Sequence, residues 1–518
     1  MNHAHALDRG LALGPHMPCL QQGSQSWSYA DVHQHSNRLA RKLRMQGLGP
    51  GRKASVLSRN HAEAFICVFG IARAGLAWVP ANPRLNEEDN AYLLEYMDCE
   101  LLIFHSELQD MVRGLQARLP ALRHWICLDR ELPGFPSLES WLEGVDDAPL
   151  DAYYEPEAVT IIAPTGGTTG RSKGVQLTQR NVGAFMAAHL VSLHYPHSQR
   201  PVNLAAAPLT HAAGFTALPT IARGGRVVVL ESPDPVSVLD AIEQQGVTEL
   251  FLPPTVIYRL LSTPGVRGRD YSSLRYFIYA AAPMAVEKLK EAIQVFGPCM
   301  TQVFGQAEAP MMCTYLAPDE HMCDGALADD ELLSSCGHPT PMVQVRILDE
   351  DHRVLGTGER GEICVRGDLV TPGYYKQPEA TAATIVDGWL HTGDVGYVDS
   401  QGRVHICDRK KDMIISGGFN IYPQEIEQVL WSHPSVEDCA VIGVPDEDWG
   451  EAVKAVVELK PGASATEQEL VALCKSRLGS LKSPKSLDFV ATLPRSPNGK
   501  VLKRDLRDMY WKNMARRI

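Results

Sequence analysis

Residues 28–80 read SYADVHQHSNRLARKLRMQGLGPGRKASVLSRNHAEAFICVFGIARAGLAWVP, and the order of patterns in this stretch decides the fold class. Ser28 with Asp31 three residues on forms a capping box, and Val32, Leu39 and Leu43 recur at helical spacing. A helix is therefore predicted from Ser28 that stops near Gly47. KASVLS (53–58) reads as a short strand, a second helix runs to about Ala74, and LAWVP (76–80) reads as another strand. Strands that alternate with helices run parallel, because the helix carries the chain back across one face of the sheet. The expected class is α/β, with a large, multi-subdomain N-terminal part.

The character changes from about residue 341. MVQVRIL (342–348), RGEICVRG (360–367) and GRVHICD (402–408) read as closely spaced strands joined by turn-rich pieces such as GTGERG (356–361), so a small β subdomain is expected. Beyond about 410 lies a tail of roughly 110 residues, long enough to form a domain by itself. In it SVEDCAVIGV (435–444), EAVKAVVEL (451–459) and SLDFVATL (486–493) read as strands, and a helix is predicted to begin near Thr466 and Glu469. The joint DRKKD (408–412) has no apolar residue and is expected to be an exposed inter-domain connection.

Composition narrows the class of protein. The chain has 518 residues, 45% apolar and 21% charged, which suits two to four folded domains rather than a disordered chain. Its formal net charge of −12, without a strongly basic stretch, argues against nucleic acid or an anionic membrane as the main partner. No run of apolar residues is long enough for a transmembrane helix, and the N-terminus lacks the pattern of a signal peptide. The 12 cysteines are scattered without a CxxC pair, which suits reduced thiols in a cytoplasm better than zinc or disulfides.

The most unusual segment is TGGTTGRSKGV (165–175), directly after the apolar run VTIIAP (159–164). Glycines let backbone N–H groups approach an anion, the threonine hydroxyls add donors and Lys173 adds charge, a combination suited to a polyphosphate. It is not a Walker A loop, since Lys173 follows Ser172 and precedes Gly174. Taken by itself, such a stretch is equally an ordinary surface loop.

The loop has company. APLTHAAGF (207–215), YAAAPM (279–284), FGQAE (304–308), GWLHTGD (388–394), DRKKDMIISGGFNIYPQEIE (408–427) and PRSPNGK (494–500) follow it in order. Together they resemble the motifs of the acyl-adenylate-forming superfamily, which includes acyl-CoA and aryl-CoA synthetases, firefly-type luciferases and peptide-synthetase adenylation domains. The resemblance runs from about residue 25 to 505. It implies a large N-terminal ATP- and acyl-binding domain (1–408) and a smaller, mobile α+β C-terminal lid (409–518), with the active site at their junction. Such enzymes make an acyl-adenylate and pyrophosphate from a carboxylic acid and ATP with Mg²⁺, and CoA-using members then form the thioester and release AMP.

The resemblance also implies roles. Thr165, Gly166, Gly167, Thr168, Thr169 and Gly170 are expected at the β- and γ-phosphates, with Lys173 beside them or ordering the loop. Lys500 is the expected catalytic cation at the α-phosphate, although a lysine after the turn-forming Asn498 and Gly499 is by itself commonly just solvated. Asp394 is matched to the ribose hydroxyls and Arg409 to the ribose or α-phosphate, with an inter-domain ion pair as the alternative for Arg409. Phe304 is expected to stack on adenine, with Ala280, Ala281, Ala282, Gly305 and Gln306 bordering the nucleotide. Glu308, with Thr168, is the expected Mg²⁺ site. Ala307 departs from the family, which commonly has threonine there, and removes one hydroxyl donor.

His211 stands where amino-acid-activating relatives tend to carry an aspartate, which makes an amino-acid substrate a poor fit. Phe215, Ala280, Gly305, Met311 and Met312, with His211, are the expected acyl-pocket walls; they are mostly apolar and point to a fatty or aromatic acid. The methionines are equally plain core residues by type. Lys411 is the expected hinge, and Ser416, Gly417 and Gly418 the segment that meets CoA, unless that triplet is a simple turn. An acyl-AMP ligase that loads a separate carrier protein is an alternative; a carrier domain after Lys500 is not expected, since about eighteen residues follow it. A luciferase-like oxygenase has no specific support, and a non-catalytic nucleotide-binding protein is disfavoured by the retained Lys500, Glu308, Asp394 and Arg409. Oligomeric state is left open, a homodimer included.

Overall fold

The computed structural model of the chain describes residues 1–165, 172–446, 448–495 and 501–511. The opening helix spans Tyr29–Met45, with the Ser28 side chain accepting from Asp31 N and Asp31 answering the Ser28 backbone, as the capping box requires. The strands Lys53–Leu57 and Ala77–Pro80 flank the helix Ala62–Ala74, which ends on Gly75 in the left-handed conformation. All of that helix except Glu63 is buried. A helix apolar all round belongs inside a large domain.

Two sheets form the N-terminal body. In one, nine strands are described, in the order His338–Pro339, Ala309–Leu316, Met300–Gln306, Tyr276–Tyr279, Glu249–Leu252, Val202–Ala205, Arg226–Val229, Pro18–Gln22 and Gln25–Ser28. Its middle is parallel, and the strand pairs at either edge are antiparallel. The other runs Gly373–Tyr374, Lys173–Thr178, Val159–Thr165, Ala77–Pro80, Lys53–Leu57, Leu101–Phe104 and His124–Cys127. Parallel pairing is the consequence of the helix–strand alternation seen in residues 28–80. A helix over His3–Leu13, for which the sequence reading made no provision, packs against this body; its Asp8 pairs with the buried Arg73.

The small β subdomain is present as Val343–Leu348, Gly361–Gly367, Ile385–Val386, Trp389–Val398 and Val404–Arg409. The C-terminal unit has its own antiparallel sheet, built on the long pair Val436–Asp446 and Gly450–Leu459, with Ile414–Ser416 and Phe419–Ile421 beside it and Ser486–Val490 parallel at the other side. Its helices Pro423–Trp431 and Glu467–Lys482 enclose a separate apolar core around Ile426, Leu430, Val441, Val453 and Leu470. The chain is thus mixed α/β, with a large N-terminal and a smaller C-terminal domain.

The joint corrects one expectation. Asp408 is buried, because Val404–Arg409 is a strand and not a linker, and its carboxylate accepts from the Gln424 and Arg409 N–H groups, both at 2.7 Å. The exposed connection is shorter: Arg409 followed by the single 3-10 turn Lys410–Asp412.

Candidate active site

The parallel strands of the nine-stranded sheet end, at their C-termini, in the segments singled out by sequence. Val202–Ala205 leads to His211, Tyr276–Tyr279 to Ala280, Ala281 and Ala282, and Met300–Gln306 to Ala307 and Glu308. Loops at the carboxyl ends of parallel strands are where open α/β sheets place ligands. Two non-glycine residues here have left-handed backbone, Ala281 (φ 74°) and Met311 (φ 54°). Such conformations cost free energy and concentrate at binding sites. Gly305 lies at a register shift between Phe304 and Gln306, and any side chain there would collide with the Met311 backbone, 2.4 Å from the position of a Cβ.

His211 precedes the helix Ala212–Ala222, with its Nδ1 3.0 Å from the Thr210 hydroxyl. Phe215, one turn later, is half-buried edge-on against Phe185 at 5.2 Å. Met311 is half-buried, whereas Met312 is buried in the core and Phe304 is 9% exposed.

The glycine–threonine segment is the connection of an antiparallel hairpin between Val159–Thr165 and Lys173–Thr178, in which Thr165 and Lys173 face each other. Gly166, Gly167, Thr168, Thr169 and Gly170 lie outside the described residues, as does Lys500. Lys173 belongs to the hairpin stem, and its ammonium lies over the Tyr374 ring, 4.8 Å from the centroid. The Tyr374 hydroxyl donates to Glu308 Oε1 at 2.7 Å. Burial, and then the adjacent Glu308 carboxylate, push the Tyr374 phenol well up, so it remains a protonated donor. Glu308 is thus a fixed, half-buried carboxylate that stands without a cage: among the described residues no group of three or more His, Cys, Asp or Glu side chains is arranged to hold a metal. A single carboxylate is a protein donor set that suits Mg²⁺, which takes its remaining ligands from phosphate and water.

Asp394 and Arg409 sit opposite each other on adjacent strands, and Arg409 Nε is 2.8 Å from Asp394 Oδ1. The pair joins neighbouring strands of one sheet and is not the inter-domain ion pair offered as the alternative; the Arg409 side chain is 44% exposed and that of Asp394 6% exposed. Asp394 is near enough to the buried Cys313 thiol, on the strand after Glu308, to reinforce the upward push that burial gives it. Close by, Glu362 accepts from Gly393 N at 3.0 Å, with Lys410 Nζ 3.3 Å away and His391 Nδ1 3.2 Å away. Burial raises the Glu362 carboxyl, but these three partners outweigh it and hold it below the usual range. The sequence reading singled out none of Glu362, Lys410 and Tyr374; for Tyr374, the run GYY (373–375) offered no periodicity to expose it.

On the lid side, Lys411 is exposed in the 3-10 turn, and its carbonyl accepts from Arg507 at 3.0 Å. Gly417 and Gly418 form the two-residue turn of the hairpin Ile414–Ser416/Phe419–Ile421, with φ of 56° and 81°. Both are exposed, while Ser416 is buried. A Cβ on Gly417 would meet the Trp449 ring at 2.4 Å, so glycine is required there both by conformation and by space. Gln428 of the lid helix donates to Met284 O at 3.2 Å and accepts from Val286 N at 3.4 Å, tying the lid to the segment that follows Ala282. No helix among the described residues is long and apolar enough to cross a membrane.

Comparison with known proteins agrees with this arrangement. Residues 7–375 match the AMP-binding enzyme family and residues 425–500 the AMP-binding enzyme C-terminal domain. The chain is 35% identical to a medium/long-chain-fatty-acid–CoA ligase of Mycobacterium tuberculosis, covering 100% of this chain and 91% of that protein. It is 36% identical to a feruloyl-CoA synthase of an Amycolatopsis species, covering 97% and 98%. The solved amide bond synthetase of Marinactinospora thermotolerans superposes with a TM-score of 0.89 at 31% identity, over 98% of this chain and 100% of that one. With both family models matched over the chain and relatives above 30% identity along its length, the chain belongs to the AMP-binding enzyme family, the acyl-adenylate-forming superfamily, and is an ATP-dependent ligase.

Proposed function

We propose that this chain is an AMP-forming acid–CoA ligase that activates a fatty or aromatic carboxylic acid. The observation that carries the reading is the gathering of His211, the Ala280–Ala281–Ala282 turn and Glu308 at the carboxyl ends of one sheet's parallel strands, with Glu308 bonded through Tyr374 toward the phosphate-loop stem. Its relatives named for fatty and for aromatic acids support the same substrate range.

In the first half-reaction an anionic carboxylate approaches the α-phosphate of a polyanion, so the site must supply positive charge and oriented donors. The hairpin loop from Thr165 to Lys173 cradles the β- and γ-phosphates, Lys500 meets the charge that builds at the α-phosphate, and Asp394 accepts from the ribose hydroxyls. Phe304 and the turn at 280–282 border the base. Mg²⁺, held on its protein side by Glu308, neutralises phosphate charge when bound. His211 closes the pocket beside the reacting carboxylate, and Phe215, Met311 and the backbone at Gly305 line it; Met312 contributes from within the core. The alanine at 307 slows the reaction without abolishing it, because the charged groups are retained.

The second half-reaction needs the lid to turn about Lys411, withdrawing Lys500 and bringing the glycine turn at 417–418 toward the pantetheine thiol. Residues 1–408 and 409–518 move as the domain and its lid, with the 3-10 turn at 410–412 between the strand that ends on Arg409 and the lid sheet. Replacing Lys411 by proline is expected to slow thioester formation selectively, by about tenfold or more, since proline fixes φ in the turn that must change; equal rates for the second step in variant and wild type would remove Lys411 as the pivot. With 12 free cysteines and no need for an oxidising compartment, we place the reaction in the cytoplasm.

The reading is tested by pyrophosphate release from ATP and Mg²⁺ over a panel of fatty, branched and aromatic acids, with and without CoA. Turnover confined to one acid class and strongly stimulated by CoA is the expected result. A single burst that CoA does not convert into turnover would reassign the acceptor to a carrier protein, and silence across the panel would overturn the ligase reading.

A further inference from the structure

We propose that Tyr374 is a positioning residue of the adenylation step, setting the orientation of the Glu308 carboxylate and of the Lys173 end of the phosphate loop from one side chain. The segment that carries it, TPGYYKQPEA (371–380), belongs to none of the motifs from which the site was assembled.

The geometry is specific. Tyr374 is 9% exposed, its hydroxyl donates to Glu308 Oε1 at 2.7 Å, and its ring faces the Lys173 ammonium at 4.8 Å. Its backbone pairs antiparallel with Val175, on the stem of the phosphate-loop hairpin, and its N–H donates to Thr381 Oγ1 at 2.9 Å. Three residues before Tyr374, Thr371 N donates to the Glu308 carbonyl at 2.8 Å and its hydroxyl donates to the Gln176 carbonyl. Gly373 allows the passage, having φ of 138° and no room for a Cβ against Thr381. Residues 371–374 therefore staple the turn bearing Glu308 to the stem bearing the loop.

Each contact has a chemical consequence. The phenol occupies one carboxylate oxygen of Glu308 and so aims the other, which matters for an ion that demands near-ideal octahedral geometry. The ring face holds the lysine cation without neutralising it, as a carboxylate partner would.

This assignment rests on the ligase reading, and the experiment separates the two. The probe is Mn²⁺, titrated by electron paramagnetic resonance into the full chain with the non-reactive α,β-methylene analogue of ATP. Tyr374→Phe keeps the ring over Lys173 and removes only the hydroxyl. It is expected to weaken Mn²⁺ binding about tenfold or more, the usual effect of losing a partner of a metal-binding carboxylate, while affinity for the metal-free analogue and the melting temperature stay at wild-type values. In a Glu308→Gln background the same change is expected to have no further effect on Mn²⁺, because the two groups act as a unit. Tyr374→Met, lacking ring and hydroxyl, is expected to show the metal loss and a loss of metal-free nucleotide affinity as well. Unchanged Mn²⁺ binding in Tyr374→Phe, or an equal loss in both backgrounds, overturns the role of Tyr374 alone. A wild-type chain that forms no complex with the analogue overturns the ligase reading and this assignment with it.

Discussion

With Lys500 replaced by alanine, acid-dependent pyrophosphate release from ATP is expected to fall by about 10²–10³-fold, the cost of losing one oriented group that stabilises transition-state charge. Thioester formation from synthetic acyl-adenylate and CoA is expected to remain near the wild-type rate. The separation follows from the two tasks. Adenylation joins two anions and needs a cation at the α-phosphate, whereas attack of a thiol on an already activated acyl group needs room and a path for the pantetheine arm. The variant is expected to stay folded, because the chain on either side is pinned independently. Arg495 faces Val501 antiparallel, Leu502 N donates to Pro494 O at 2.8 Å, and Arg495 is ion-paired with Asp438 at 2.6 Å. Separate assay of the half-reactions decides it: an equal loss in both would sink the two-state lid.

Three residues further on, Lys503 should behave in the opposite way, carrying stability rather than chemistry. Its ammonium is 2.8 Å from the buried Glu427 carboxylate, whose other neighbours include Val441 N at 2.7 Å, and the buried Asp408 also acts on it. Burial lifts the Glu427 carboxyl to about 7 and raises that of Asp408, with Lys503 holding both down. Burial would lower the Lys503 ammonium, but Glu427 and Asp408 outweigh it and raise it. Replacing Lys503 by methionine leaves two buried carboxyls without their cation, a change that costs about 3–5 kcal/mol when one partner of a buried pair is removed.

The pH dependence has a definite sign. A carboxyl raised in the folded state contributes stability that is present below its unfolded value and is lost as pH rises through its folded value. For Glu427 that window runs from 4.5 up to about 7 in the wild type, and it extends higher once Lys503 is gone. Lys503→Met is therefore expected to destabilise the lid fully at pH 8 and much less at pH 5, where the Glu427 carboxyl is protonated. Hydrogen exchange of the helix Pro423–Trp431 at the two pH values reads this directly. An equal loss at both would assign the effect to packing and not to unpaired carboxylates. Together the two lysine variants distinguish a residue that meets substrate from one that holds the lid together.

Much of the fold was legible locally, and for identifiable reasons. The capping boxes at Ser28 and Thr466 involve residues three apart, so backbone geometry alone makes them act where they are read. The strands 53–57, 343–348 and 450–459 fall where apolar and β-branched residues cluster between turn residues. Asp408 was misjudged by the same local logic. A charged pentapeptide reads as solvated, but its first residue ends a strand, and its carboxylate is met by N–H groups from residue 409 and, sixteen positions away, residue 424. The helix His3–Leu13 escaped because its support, Asp8 to Arg73 and Tyr29 to the distant carbonyls of Ile221 and Gly225 beside it, comes from remote chain.

The sequence by itself determined the α/β class, the order of the site segments and the residue types able to bind a polyphosphate and a carboxylate, since these depend on spacing and side-chain chemistry. Only the tertiary structure decided which of those groups answer one another. Asp394 and Arg409 are fifteen residues apart and become a 2.8 Å pair through strand register; Glu308, Tyr374 and Lys173 meet because a strand at 373–374 is laid against the hairpin stem. Pairing of this kind is set by how sheets and their connections pack, which no local pattern of residues encodes.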